Sequence, residues 1–273
     1  MKKLLGVIVS VGITFGLVFF VLATPIVVTS DAILGEFAQH VGGELIEVFT
    51  IIPSGFCPAH YDLRPSDIRA VSQAVLVISE GFEPWMTSLL ESVSTTDQPA
   101  CTVQVPGPSN RPDRAAEMAD EIAAALSEVF PDHAATFVSN AEAFKLKLAT
   151  LATALKAQAE ELGIETVNVI SMKWQALFVS WLGFDVVVTY GMPEDLSLQD
   201  LVELKKIGEE NDVVMVIDNL QSGVTFGAKL AREIGAMHAV LTGYPGPLPG
   251  TTTYLEMLET NAEMLFSALE PFQ

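Results

Sequence analysis

The sequence predicts an α/β protein with two lobes, each built on a central parallel sheet flanked by helices, joined by one long helix. Short β-branched runs alternate with amphipathic runs from residue 25 onwards. The strand runs are almost continuously apolar, as in parallel strands covered on both faces. Near mid-chain an apolar stripe recurs every three to four residues over about seven turns, which indicates the long helix. Alternating strands and helices of this kind are typical of α/β architecture.

Eight strands are predicted, four on each side of the middle region. In chain order they are Pro25–Thr29, Leu45–Ile52, Ala74–Ile78, Cys101–Val105, Thr166–Ile170, Asp185–Thr189, Val213–Ile217 and Ala239–Leu241. Helix signals lie between them. Ser30 is in position to cap a first helix that ends at the Gly42-Gly43 pair, and Pro65 begins another. Ser197 with Asp200 resembles a capping box.

The middle of the chain is predicted to be helical throughout. Asp113–Phe130 forms one helix, which Pro131 interrupts, and the apolar stripe then runs from Phe137 to Leu162. A helix of that length would be a rigid spine between two strand-rich halves, although its periodicity alone also fits an ordinary surface helix. The expected divisions are an N-terminal lobe at 24–131, the spine at 132–162 and a C-terminal lobe at 163–273.

The N-terminus is predicted to be an export signal. Lys2 and Lys3 precede the uncharged, apolar run Leu4–Ala23, which has the length of a membrane span. Residues 1–23 are therefore either a secretory signal or an uncleaved membrane anchor, and the rest of the chain is expected outside the cytoplasm. The first cysteine is Cys57, so the acylation site of a bacterial lipoprotein is missing.

Composition excludes several functions. The formal net charge is −20, and it becomes −22 once the two leader lysines are removed. Such an acidic surface repels phosphate backbones, which argues against nucleic-acid binding. No nucleophile elbow, zinc-protease or phosphate-loop motif occurs, so we expect no enzyme and no catalytic cofactor. The histidines at 40, 133 and 238 are interpreted as structural. Cys57 and Cys101 are able to form one disulfide in an oxidising compartment.

Several motifs in fixed order resemble a known family. Residues 27–34 are Val-Val-Thr-Ser-Asp-Ala-Ile-Leu, residues 57–61 are Cys-Pro-Ala-His-Tyr, and residues 83–90 are Glu-Pro-Trp-Met-Thr-Ser-Leu-Leu. Val-Ile-Ser at 169–171 and Val-Ile-Asp at 216–218 continue the series. The chain resembles the metal-binding solute receptors of ABC importers, the TroA-like (cluster A-I, zinc/manganese-type) family, over residues 26–270, but with altered metal ligands.

The resemblance implies two α/β lobes joined by one long helix, and one transition-metal ion held between the lobes by His and carboxylate ligands. It also implies an ABC permease and its ATPase as partners. Zinc or manganese is the expected cargo. Copper would become an option if a thiolate or thioether took part in binding, because soft ligands favour it.

The same resemblance points to four candidate ligands. His60 is displaced by one residue from the usual place, which Ala59 occupies, and Asp218 stands where a carboxylate is expected. Cys57 and Met172 are weaker candidates. Each also has a structural alternative: a loop histidine bonded to a carbonyl, a turn-capping aspartate, a small packed or disulfide-bonded cysteine, and a packed methionine.

Further side chains are expected to line the cleft: Tyr61, Asn110, Trp174, Thr242 and Tyr244. Because Lys173 adjoins Met172 and would repel a cation, and because the loop at 106–112 contains no His, other cargoes stay open. One alternative is a receptor for a metal chelate or a small organic ligand. Another is a surface protein that keeps the fold without a cargo.

Overall fold

The computed structural model describes residues 24–54, 56, 61–93, 99, 101–107 and 109–269. The predicted leader at 1–23 and two of the candidate ligands, Cys57 and His60, lie outside these residues. None of the described helices is both long and apolar enough to span a bilayer.

Two four-stranded parallel sheets form the centres of two lobes, as predicted. The N-terminal sheet has the order β2-β1-β3-β4 and the C-terminal sheet the order β6-β5-β7-β8, so the two lobes repeat one topology. The strands are β1 Ile26–Thr29, β2 Glu47–Thr50, β3 Ala74–Ser79, β4 Cys101–Gln104, β5 Asn168–Met172, β6 Asp185–Tyr190, β7 Met215–Asn219 and β8 Met237–Leu241. Each overlaps a strand predicted from the sequence.

Nine described α-helices connect and cover the strands. They are α1 Ala32–Gly42, α2 Pro65–Gln73, α3 Met86–Ser92, α4 Pro112–Val129, α5 Ala134–Glu161, α6 Lys173–Leu182, α7 Leu198–Glu210, α8 Thr225–Ile234 and α9 Tyr254–Leu269. The capping box at the start of α7 is confirmed, since Ser197 Oγ accepts from the Asp200 N–H and the Ser197 N–H donates to the Asp200 carboxylate.

The predicted cap of α1 is wrong by one residue. Asp31, not Ser30, caps the helix, and its Oδ1 accepts from the backbone N–H groups of Ile33 at 2.8 Å and Leu34 at 3.1 Å. Ser30 Oγ instead donates to Asp31 Oδ2. A carboxylate one residue closer to the first turn accepts both N–H groups and is favoured by the positive end of the helix dipole.

The spine is confirmed as one continuous helix of 28 residues, α5. Its buried stripe is Phe137, Ala141, Phe144, Leu148, Leu155 and Ala159. Phe144 meets Phe37 of α1 at a ring-centroid distance of 5.0 Å, and Phe37 meets Tyr254 of α9 edge-on at 4.8 Å. The aromatic contacts therefore run from the N-terminal lobe through the spine region into the C-terminal helix.

One apolar core extends through both lobes. It includes Val27 and Leu76 of the first sheet together with Val169 and Ile217 of the second. The outer face of each sheet has its own smaller cluster, under α2 and α3 in one lobe and under α7 and α8 in the other. Separating the lobes would expose the apolar surface of this shared core to water, at a free-energy cost of about 25 cal/mol per Å². Burial of this core therefore holds the two lobes against each other.

Candidate functional site

The carboxyl ends of the two sheets meet, and we call this region the lobe junction. Asn110, in the loop after β4, donates from Nδ2 to the carbonyl of Trp174 after β5 at 2.8 Å. Tyr254 Oη donates to the Ser109 carbonyl at 2.7 Å. Loops that follow strands are where open α/β sheets present their binding crevices, so the lobe junction is the candidate site.

Three carboxylates form the N-terminal wall of the lobe junction. Asp31 follows β1, and Glu80 and Glu83 follow β3. Glu83 is held by backbone donors, since its Oε1 and Oε2 accept from the N–H groups of Glu80 at 2.9 Å and Gly81 at 2.8 Å. Glu80 is only 9 % exposed, and its Oε1 is buried without a hydrogen-bond partner.

Burial and mutual repulsion disfavour the charged forms of two of these groups. Burial raises the pKa of Asp31 from 3.8 to about 6, with a further contribution from the charge of Glu83. Burial also raises the pKa of Glu80 well above its usual value, and the charges of Asp31 and Glu83 add to the effect. Removing charge from water is costly unless an opposite charge compensates for it. This wall therefore favours a proton or a cation.

The C-terminal wall consists of amides and hydroxyls. Gln175 Nε2 donates to Asn219 Oδ1 at 2.9 Å, and Gln221 Nε2 donates to Thr242 Oγ1 at the same distance. The Gly243 N–H donates to Gln221 Oε1 at 2.9 Å. Gln175 is fully buried and its Oε1 accepts no hydrogen bond. This wall is uncharged and offers one free acceptor oxygen.

Asp218, the predicted carboxylate ligand, lies in β7 and is fully buried. Its Oδ1 accepts a short hydrogen bond from Tyr190 Oη, and its Oδ2 lies 2.7 Å from His238 Nε2. A Cβ added at Gly227 of α8 would overlap this carboxylate. Burial, and then the charge of Asp218, raise the pKa of Tyr190, which therefore stays protonated and donates. Both oxygens of Asp218 are engaged within its own lobe.

Met172 ends β5 and is also fully buried. Its sulfur accepts a hydrogen bond from the Trp174 N–H at 3.3 Å and so acts as the cap of α6. Trp174 itself is half exposed, and Lys173 Nζ lies 4.4 Å from the centre of its ring. The ammonium group of Lys173, the residue that follows Met172, is thus directed over the face of the Trp174 ring.

The remaining predicted lining residues divide between the lobes. Tyr61 is buried and donates to Asp67 Oδ2 at 3.0 Å, so its hydroxyl supports the start of α2. Asn110 lies at the lobe junction, as described. Thr242 is fully buried within the amide wall, where its Oγ1 donates to the Tyr244 carbonyl at 2.7 Å. The structure brings Asn110, Trp174 and Thr242 to the lobe junction.

Within the described ranges, no three His, Cys, Asp or Glu side chains are grouped so as to hold a metal ion together. Cys101 on β4 carries a free thiol. The loop that contains Cys57 and His60 lies outside the described residues, so the structure places neither candidate.

Sequence reasoning missed the carboxylate wall, the orphaned Gln175 and the partner of Asp218. A signal existed for the first, because Asp31 and Glu80 each follow a strand predicted to be buried and parallel. The pairing of His238 with Asp218 had no comparable signal, since it depends on the register of neighbouring strands, in which Val216 lies opposite His238.

Comparison with known proteins gives one consistent family. Residues 27–268 match the family described as ZnuA, zinc-uptake complex component A, periplasmic. The manganese-binding lipoprotein MntA of Halalkalibacterium halodurans is 26% identical over 265 residues, covering 89% of this chain and 88% of MntA. The iron-binding protein YfeA of Yersinia pestis is 23% identical, covering 88% of this chain and 84% of YfeA.

Solved structures share the fold. The manganese-bound periplasmic metal binding protein of Candidatus Liberibacter asiaticus superposes with a TM-score of 0.79 at 17% identity, covering 90% of this chain and 99% of that one. A crystal structure of ZnuA gives a TM-score of 0.73 at 20% identity, covering 89% of this chain and 98% of that one. With the family match over nearly the whole described chain, these likenesses lead to one conclusion: the chain belongs to the ZnuA family of periplasmic metal-uptake components.

Proposed function

We propose that this chain is the extracytoplasmic solute-binding protein of an ABC importer, which captures a divalent transition-metal ion at the lobe junction. It would deliver the ion to a membrane permease driven by its ATPase. Zinc and manganese are the expected cargoes. No chemical step and no resident cofactor is needed, because the ion itself is the substrate.

The family match over residues 27–268 is the observation that carries this proposal. The fold supports it physically. A rigid spine and a shared core hold two sheets with their carboxyl ends facing each other, so binding groups from both lobes are positioned in advance. Preorganisation of this kind reduces the ordering cost of capture.

Residues 1–23 serve in this proposal as the export signal or as the membrane anchor. Either role places the lobes outside the cytoplasm, where a permease can receive the cargo. Neither a chelate cargo nor a cargo-free role is favoured by a specific observation.

Among the predicted ligands, we propose His60 as the nitrogen ligand from the N-terminal lobe, with Cys57 as an additional thiolate that would shift preference towards zinc or copper. Asp218 and Met172 would each have to give up an existing contact to bind a metal. For Asp218 that contact is with His238 or Tyr190, and for Met172 it is with the Trp174 N–H. Their participation therefore requires a local rearrangement of the C-terminal lobe.

The test is thermal unfolding of the purified full chain with zinc, manganese, iron, cobalt and copper salts after chelator treatment. The cargo ion should raise the free energy of unfolding by about 2.7 kcal/mol at a hundredfold excess over its dissociation constant. His60→Ala should reduce the shift, while His133→Ala, an exposed histidine at the start of α5, should not. If no ion stabilises the wild-type chain, a metal cargo is excluded.

A further inference from the structure

Glu80 has an unusual environment for a carboxylate. It is 9 % exposed, and although the Ser109 side chain hydrogen-bonds to its carboxyl group, its Oε1 is buried without a hydrogen-bond partner. Buried polar oxygens are nearly always paired, and an orphaned one calls for a missing partner. Since a carboxylate oxygen is an acceptor, the missing partner is a hydrogen-bond donor or a cation.

The surroundings of Glu80 favour a cation. The charged groups that act on it are Asp31, from the cap of α1, and Glu83, from the loop after β3, and both are acidic. Asp31 and Glu83 already accept backbone N–H groups, so their positions are fixed. Each acidic group raises the cost of charging its neighbours, so a proton or a cation beside Glu80 is favoured.

Glu80 also lies beside the segment that crosses to the other lobe. Its Oε1 is 3.4 Å from the position that a Cβ would take at Gly107. Ser109 and Asn110, which follow, contact Tyr254 and Trp174 of the C-terminal lobe. The residue after Trp174 is Gln175, whose Oε1 is likewise buried without a partner. Each lobe thus contributes one orphaned acceptor oxygen next to the contact that joins them.

We propose that Glu80 contacts the cargo directly from the N-terminal lobe, with Gln175 as an oxygen donor from the C-terminal lobe, and that the cargo is an oxygen-preferring divalent cation such as Mn²⁺. Asp31 and Glu83 are positioning residues. They keep their hydrogen bonds to backbone N–H groups and add electrostatic attraction for the cation. Carboxylate and amide oxygens are the ligands that Mn²⁺ accepts. This inference rests on the proposed function, and it identifies a ligand pair that the sequence alone did not suggest.

The test is isothermal titration of the metal-free full chain with MnCl₂, comparing wild type with Glu80→Gln and Glu36→Gln. Glu36 is the matched control. It lies in the same lobe, but its Oε1 is 3.5 Å from His40 Nε2 and its Oε2 accepts from the Tyr254 N–H, so both of its oxygens already lie beside nitrogen groups. Glu80→Gln should weaken Mn²⁺ binding by about tenfold or more, the range typical for altered metal sites. Glu36→Gln should leave the affinity unchanged.

Folding is checked on the same samples by thermal unfolding without metal. Glu80→Gln should melt no lower than wild type, because a neutral amide replaces a buried carboxyl that has acidic neighbours. Should that variant fail to fold, Asp31→Asn replaces it in the titration, since asparagine caps helices as well as aspartate does. Asp31→Asn should also bind Mn²⁺ more weakly.

Two outcomes separate this inference from the proposed function. If the wild-type chain and the folded Glu80→Gln variant bind Mn²⁺ equally well, Glu80 has no role in binding. The receptor function is unaffected by that result. Wild-type chain that binds none of zinc, manganese, iron, cobalt and copper overturns the receptor function itself. Weaker binding in Glu80→Gln with normal binding in Glu36→Gln supports the inference.

Discussion

The two lobes share one strand order but present opposite chemistry at the junction between them. The N-terminal wall holds Asp31, Glu80 and Glu83, with burial raising the pKa of the first two. The C-terminal wall holds amides and a hydroxyl, and its buried carboxylate, Asp218, is satisfied inside the lobe by Tyr190 and His238.

The difference shows that topology and site chemistry are separable. A parallel sheet fixes where the strand ends lie, while the residue just after each strand decides whether that end is charged. In the C-terminal lobe a histidine and a tyrosine compensate the buried acid, whereas in the N-terminal lobe the acidic groups face one another. An uncompensated wall is available for a ligand, and a compensated wall contributes stability.

The largest expected effect is a loss of folding stability in the C-terminal lobe, where the buried carboxylate is compensated. His238→Ala removes the partner of Asp218 Oδ2 and leaves a fully buried carboxylate with Tyr190 alone. Breaking a buried pair from one side costs about 3 kcal/mol, at the lower end of the usual range because the His238 ring is 24% exposed. Urea unfolding of the metal-free chain measures this loss.

His133→Ala is the control for this prediction, because His133 is exposed and its ring meets Phe137 only at a centroid distance of 6.3 Å. It should change the free energy of unfolding by no more than about 0.5 kcal/mol. Equal stabilities for the two histidine variants would show that Asp218 does not need compensation.

The next effect concerns the acidic side chains of the N-terminal wall and depends on pH. The pKa of Asp31 is about 6 in the folded protein against an ordinary value of 3.8, so the folded state binds this proton more tightly than the unfolded state does. The stability that binding this proton contributes is fully present at a pH below the ordinary aspartate pKa, and it is lost as the pH rises through about 6. At 1.36 kcal/mol per pKa unit, the loss should be on the order of 3 kcal/mol.

Asp31→Asn isolates this contribution, since asparagine keeps the cap of α1. Chemical unfolding of both proteins between pH 4 and pH 7.5 should show the variant gaining stability relative to wild type as pH rises. A difference that stays constant, or that grows as pH falls, would contradict a raised pKa at Asp31. The measured difference also includes a change at Glu80, because the charge of Asp31 contributes to the raised pKa of Glu80.

The smallest effect is expected where the two walls touch. Asn110→Ala removes the 2.8 Å hydrogen bond to the Trp174 carbonyl and should cost about 1 kcal/mol. Asn140→Ala removes a similar amide-to-carbonyl bond, from the spine to Val41, and should cost about the same. Only the first should weaken Mn²⁺ binding in titrations. If both variants bind equally well, the contact between the lobes has no role in capture.

Much of the fold could be predicted from the sequence because strand and helix patterns are local. The near-continuous apolar runs of β1 and β3 indicate parallel strands, and the stripe from Phe137 to Leu162 indicates the spine, without knowledge of their partners. The cap of α1 was predicted one residue too early, since Ser30 and Asp31 are both good caps and only the backbone geometry decides between them.

The candidate site was less accessible to sequence reasoning. The resemblance pointed to His60 and Asp218, but nothing local shows that Asp218 meets His238, which is 20 residues away on a neighbouring strand. The burial of Glu80 could not be predicted from the sequence either. A glutamate in a loop after a strand is usually solvated, whereas the Oε1 of Glu80 is buried, 3.4 Å from the position of a Cβ at Gly107.

The sequence by itself determined the alternation of strands and helices, the spine and the acidic balance, because each follows from residue order and short-range propensity. The tertiary structure alone decided which acidic groups are compensated and which are buried beside other acidic groups. That outcome depends on long-range register and on the exclusion of water, and both arise only when the two sheets bring their carboxyl ends together.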